Sequence, residues 1–143
     1  MKTEQLSVFL ENRAGRLAEV THTLAEAGVN ICALSLADTS DFGILRMIVC
    51  DHVKTQTVLK EKGFTLGRTS VVAVEVADRP RGLDDVLQLV SRHGINVEYM
   101  YGFIQRDRES AVMIFRFDKV DQAVDVLKDN NFTIIPADVL CSS

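Results

Sequence analysis

Along residues 5–10, Leu6, Val8 and Leu10 alternate with Ser7 and Phe9, a period of two that predicts a strand with one face in a core. Phe9 falls on the other face. Leu17, Val20, Leu24 and Ala27 then step by three, four and three, which lines them along one face of a helix that Gly28 stops. Residues 30–39 and 42–50 are β-favouring runs on either side of the turn-forming Ser40-Asp41, the pattern of a hairpin. A helix is predicted over 54–62, ended by Gly63. The β-favouring stretch 64–76 is too long for one strand of about five or six residues.

An internal repeat accounts for that length. Gly28-Val29-Asn30 matches Gly94-Ile95-Asn96, and the same offset lays Val8 on Val74, Leu10 on Val76, Arg13 on Arg79, Leu17 on Leu83 and Val20 on Val86. Gly63-Phe64-Thr65 matches Asn131-Phe132-Thr133 at an offset two residues longer, so the second hairpin carries its extra residues near Asp107-Arg108-Glu109. The chain therefore reads as α+β, two tandem ferredoxin-like β-α-β-β-α-β units over 1–70 and 71–143, each an antiparallel sheet with its helices on one face. One bare sheet face per unit follows. In the first unit it carries Phe9 and either Ile44 and Ile48 or Leu45 and Met47, apolar side chains that call for cover. No Pro-, Gly- or Ser-rich linker separates the units, so they are expected to pack on each other and on a second chain, with a homodimer as the default.

Each unit has a polar turn between its first strand and first helix: Glu11-Asn12-Arg13-Ala14-Gly15-Arg16-Leu17, and Ala77-Asp78-Arg79-Pro80-Arg81-Gly82-Leu83. A helix begins with backbone N–H groups that lack partners inside it, beside a positive dipole end, which suits a carboxylate or phosphate. The plain structural reading is that Asn12 and Asp78 are only helix caps. Asp84 and Asp85 would put negative charge into the first turn of the second unit's helix and offset its dipole there.

A net charge of −4 and the lack of a basic cluster argue against a nucleic-acid surface. The longest uncharged apolar run, 71–74, falls far short of the roughly 20 residues that span a bilayer. Met1-Lys2-Thr3-Glu4-Gln5 opens no signal-peptide pattern, so a cytoplasmic protein without membrane attachment is expected. Cys32, Cys50 and Cys141 are widely spaced and lack a C-x-x-C pair, suggesting neither a disulfide framework nor a metal site; Cys32 and Cys50 read as small core residues. His22, His52 and His93 share no metal spacing. Tyr99 and Tyr101 lie on one strand face as core, interface or stacking residues. Glu98 would meet a ligand ammonium or pair with an arginine, and Arg46 and Arg116 read as snorkelling or paired side chains.

The segment Leu10-Glu11-Asn12-Arg13-Ala14-Gly15-Arg16-Leu17-Ala18-Glu19-Val20, followed by Gly28-Val29-Asn30-Ile31, resembles the signature of the ACT domain, a small regulatory module of amino-acid-sensing proteins. The second copy keeps Asp78-Arg79-Pro80 and Leu83, so the resemblance covers essentially the whole chain as a tandem ACT protein. It implies binding of a small amino acid at interfaces between modules, with no cofactor. Asn12, Ala14, Gly15, Arg16 and Leu17 would hold the ligand backbone, the turn amides facing its carboxylate and the Asn12 oxygen its ammonium. Asn30 and Ile31 would line the other wall. Asp78, Arg79, Pro80, Arg81, Gly82, Leu83, Asn96 and Val97 form a second, weaker candidate site, because Arg81 stands where the family usually has glycine.

The expected function is thus a regulatory sensor, not an enzyme, acting through oligomer packing or an unidentified enzyme or regulator. The alternative is a ligand-free interaction or oligomerisation module. An enzyme on this scaffold would need a nucleophile with its base, a carboxylate pair or metal-ligand spacing, and the sequence offers none of them convincingly.

Overall fold

Alternation in the first strand and 3.6-residue periodicity in the first helix become β1 (Thr3–Glu11) and α1 (Arg16–Glu26). The hairpin is β2 (Ile31–Asp38) and β3 (Phe42–Val49), followed by α2 (His52–Glu61) and β4 (Thr65–Ala77). The remaining elements are α3 (Pro80–Arg92), β5 (Val97–Ile104), β6 (Ser110–Phe117), α4 (Val120–Asp129), β7 (Thr133–Ile134) and a short α5 (Ala137–Leu140). The computed structural model describes residues 2–38, 40–104 and 109–141. It divides into an N-terminal unit, Glu4–Thr69 with Cys141–Ser143, and a C-terminal unit, Ser70–Leu140 with Met1–Thr3. The long stretch read from the sequence is one continuous strand, β4, whose first residues belong to one unit and the rest to the other.

In the N-terminal unit the strand order is β2-β3-β1-β4, that of the split β-α-β-β-α-β fold. Antiparallel pairing sets Leu6 opposite Met47 and Val8 opposite Leu45. Those four side chains, with Leu10, Val20, Leu24, Val49, Leu59 and Phe64, form the core beneath the helices. Phe9 pairs with Ile44 on the opposite face. The face away from the core therefore carries the Ile44 and Ile48 set and not Leu45 and Met47, and it is not bare throughout: Phe9 is half exposed, while Ile48 is buried. The second helix starts at His52, before the predicted 54, because the Asp51 carboxylate accepts the Lys54 amide at 3.0 Å and caps it.

The C-terminal unit repeats this order as β7-β4-β6-β5. Its core gathers Val72, Val74, Val76, Val86, Leu89, Phe115, Phe117 and Leu127. Of the residues expected to lengthen its hairpin, Asp107 and Arg108 lie outside the described residues. Each unit also has a β-bulge at one equivalent place. Register shifts between Ile31 and Ala33, and between Val97 and Tyr99, leave Cys32 and Glu98 as the extra residues.

The cysteines depart from the sequence reading. Cys32 and Cys141, separated by 109 positions, form a disulfide, and the Cys50 Sγ lies 3.6 Å from the Cys32 Sγ. Neither Cys32 nor Cys50 is a core residue: Cys32 is half-buried and Cys50 exposed. Spacing along the chain carried no sign of this, because the bulge at Cys32 and the end of β3 bring the sulfurs together. No described helix is long and apolar enough to cross a membrane.

Candidate functional site

The turn after β1 is tied to the tip of the β2–β3 hairpin. The Asn12 amide donates to the Asp41 carbonyl at 2.9 Å and the Asn12 Nδ2 to the Ser40 carbonyl at 3.2 Å. Asn12 is therefore not a cap of α1. The position before the helix is Gly15, at φ 91°, a left-handed conformation that a side chain would strain, and no side chain bonds the helix N-terminus there. Among the described residues, the amides of Ala14, Gly15, Leu17 and Ala18 meet no backbone carbonyl. They stand at the positive end of α1, and a Cβ built on Gly15 would meet open space. Beside them is a cleft of about 80 Å³ lined by Leu10, Glu11, Asn12, Arg13, Leu17, Leu36 and Gly43.

The Arg16 side chain is directed away from this cleft. Its guanidinium carbon lies 4.4 Å over the Phe64 ring, and its Nη1 donates to Glu19 at 2.7 Å. Its Nε is 3.7 Å from the Glu11 carboxylate, near enough for attraction but too far for a hydrogen bond, so among the described residues this buried N–H has no hydrogen-bond partner. Glu11 also takes the Arg13 Nε at 3.0 Å. These contacts hold the Arg13 and Arg16 side chains against Glu11, Glu19 and Phe64.

Asn30 and Ile31 are not brought to this turn within the unit. Pairing of Glu11 with Phe42 and of Asp38 with Gly43 puts the turn at the far end of β2 from Ile31. At the usual rise per residue that is about 20 Å. The Asn30 carbonyl instead accepts the Cys50 amide at 3.1 Å.

In the C-terminal unit, the Asp78 amide donates to the Glu109 carbonyl at 3.0 Å, matching the tie made by Asn12. The helix opens differently. Arg79 precedes it in extended conformation and Pro80 occupies its first turn, so Asp84 and Asp85 fall beyond the first turn, contrary to the sequence reading. Gly82 is buried, and a Cβ there would overlap the Ala77 carbonyl, so its glycine serves the close approach of α3 to β4. Pro80 brings no N–H, and the Gly82 amide is taken by the Arg79 carbonyl at 2.9 Å. Larger clefts, of about 330 and 380 Å³, open here, and both are lined by Ala77, Arg79 and Glu109. Leu83 packs against the core. Asn96 and Val97 lie at the far end of β5, where the Asn96 amide donates to Asp118 at 2.9 Å.

Tyr99 and Tyr101 are half-buried opposite Arg116 and Ile114. Glu98 pairs with the Arg116 Nε at 3.1 Å, and the Arg116 Nη1 donates to the Ser70 carbonyl at 3.0 Å, so Glu98 meets an arginine of its own unit. Phe64, Leu36 and the Ser40 and Asp41 carbonyls surround the first turn without any local signature in the sequence. Ser40-Asp41 was legible only as a turn.

A family model described as an ACT domain pair matches residues 1–142. Among solved structures, the Bacteroides thetaiotaomicron protein BT0572 is 38% identical, with a TM-score of 0.95 over 100% of this chain and 98% of that one. The regulatory subunit of aspartate kinase from Thermus thermophilus, in its ligand-free form, shares 15% identity at a TM-score of 0.62, covering 90% of this chain and 92% of that one. Aspartokinase III of E. coli, in complex with lysine and aspartate, shares 15% identity at 0.53, covering 90% of this chain and 31% of that one. At such identities the two kinases show likeness of fold alone. No curated protein matches the chain.

Proposed function

Because the chain belongs to the ACT domain family, as a pair of ACT domains, we propose that it is a regulatory protein that binds a small amino acid at the turn before α1. The observation that carries this is the set of amides of Ala14, Gly15, Leu17 and Ala18 that meet no backbone carbonyl, around a left-handed glycine at a helix N-terminus. A carboxylate bound there gains several N–H donors and the helix dipole together. With Nδ2 committed to Ser40, the Asn12 Oδ1 is the acceptor for the ammonium group.

The cleft of about 80 Å³ is several times the roughly 10–15 Å³ that one water needs, room for a carboxylate and ammonium head. The ligand's side chain then needs cover from a second module. In this reading β2, an edge strand of its unit, pairs antiparallel with β2 of a second copy about a two-fold axis. Asn30 and Ile31 of one copy then stand beside the turn of the other, which gives them a role despite their distance from Asn12. A ligand bridging both copies shifts assembly by its preference for the paired state, and this passes the signal to an enzyme or regulator. The regulatory subunit of aspartate kinase from Thermus thermophilus has a similar fold.

The test is a thermal-shift screen of the full chain against the twenty amino acids, with mass by light scattering. A ligand at 100 times its Kd stabilises by about 2.7 kcal/mol. A selective hit lost in Gly15→Val supports the sensor reading. A ligand-free oligomerisation module is the second reading, favoured by Leu34, Leu36 and Phe42, each about half exposed near the β2 edge. A stable dimer with no shift at millimolar amino acid would select it.

A further inference from the structure

We propose that Cys32, Cys50 and Cys141, when reduced, form a binding site for one thiophilic metal ion, with Zn²⁺ as its chemical type. The three sulfurs lie within 4.8 Å of one another, and they are all the cysteines the chain has. They come from three separate places: the β-bulge of β2, the residue after β3, and the residue after α5. A disulfide needs two of them. The third, Cys50, stands 3.6 Å from the Cys32 sulfur and contributes nothing to a Cys32–Cys141 staple.

A single metal ion uses all three. Zn–S bonds of about 2.3 Å at tetrahedral angles put the sulfurs about 3.8 Å apart, which matches the Cys32–Cys50 separation. The Cα atoms of Cys32 and Cys141 are 5.1 Å apart, and metal binding requires their sulfurs to part to the same spacing once the disulfide is open. Cys50 is exposed, so a fourth coordination position faces solvent. The site is thus open, of the kind that takes a water or an external ligand.

The bulge supplies the orientation. In the C-terminal unit its counterpart at Glu98 turns a carboxylate onto Arg116, whereas in the N-terminal unit it turns a thiol toward Cys50. The same backbone device therefore presents different chemistry in the two copies.

Loading requires the disulfide to open. A dithiol or phosphine reductant delivers two electrons, and two protons complete the thiols of Cys32 and Cys141. Binding of the divalent ion then releases three protons as three thiolates form. A small-molecule disulfide accepts two electrons from the Cys32 and Cys141 thiolates and leaves as two thiolates while the Cys32–Cys141 bond re-forms; the ion is released and Cys50 regains its proton, so metal and disulfide are mutually exclusive states of one trio. As its thiolate, Cys50 can also attack the Cys32 sulfur 3.6 Å away, forming a Cys32–Cys50 bond as the Cys32–Cys141 bond breaks and Cys141 leaves as thiolate.

The experiment uses the full chain reduced with a phosphine and held without oxygen. Titration with Co²⁺ is followed by thiolate-to-metal absorption, and Zn²⁺ is then added in competition with a chromogenic chelator. Expected are one ion per chain, disappearance of three reagent-accessible thiols on loading, and no binding to the oxidised protein. Cys50→Ser, an exposed change that leaves the disulfide pair intact, should weaken the ion by more than about 100-fold, beyond what loss of a merely supporting group costs. Absence of thiolate-to-metal absorption, unchanged Zn²⁺ affinity in Cys50→Ser, or three thiols that stay reactive in excess Zn²⁺ would each overturn the proposal and leave the trio as a thiol–disulfide pair with a neighbour.

Discussion

The Arg16 guanidinium lies over the Phe64 ring at 4.4 Å, so a residue at the mouth of the candidate site spends its charge on the unit's own core edge. Partly shielded from water, such a contact is worth about 1–2 kcal/mol. Arg16→Met should lower stability in urea by about that amount and leave amino-acid affinity within a few-fold. Loss of binding at unchanged stability would instead make Arg16 a ligand clamp.

Gly15 and Gly82 are glycines for different reasons, and one substitution separates them. At Gly15 the space is open and only the backbone objects, so Gly15→Ala should cost about 1–2 kcal/mol, the usual penalty for a side chain in the left-handed region.

At Gly82 the angle is helical, and an alanine would ordinarily stabilise an exposed helix by about 0.5–1 kcal/mol. Here its Cβ meets the Ala77 carbonyl, which cannot turn aside, and the sign reverses. Gly82→Ala should destabilise by about 1–3 kcal/mol. Denaturant midpoints of the two variants check both values; a stabilised Gly82→Ala would refute the packing argument.

Asn12→Ala removes one exposed hydrogen bond to Ser40 and should cost at most about 1 kcal/mol of stability. If Oδ1 receives the ligand ammonium, affinity for the amino acid should fall at least about tenfold, which is about 1.4 kcal/mol. Calorimetric titration of wild type and variant with the ligand found by thermal shift measures this.

The Glu98–Arg116 pair is partly open to solvent, so Glu98→Gln should change stability by about 1 kcal/mol or less, and by less still in high salt. Amino-acid binding at the first turn should be unaltered. A large loss of binding would assign Glu98 the ammonium-binding role that its arginine partner now argues against.

What the sequence determined by itself is what depends on neighbours a few positions away. Alternation at Leu6, Val8 and Leu10, the helical spacing from Leu17 to Ala27 and the repeated Gly-Val/Ile-Asn are local patterns, and both β-α-β-β-α-β units follow from them. What only the tertiary structure decided is set by strand register, which joins residues remote in the chain. Pairing Phe9 with Ile44 chose between two sets of face residues that alternation alone left equal. Hydrogen bonding to Ser40 and Asp41 made Asn12 a tie to the hairpin where its residue type suggested a cap. Strand length separated Ile31 from the turn, and a single extra residue at Cys32 gathered three sulfurs that 109 positions had kept apart. One-residue shifts in pairing turn a side chain to another face, and no pattern along a single strand records where its partner makes that shift.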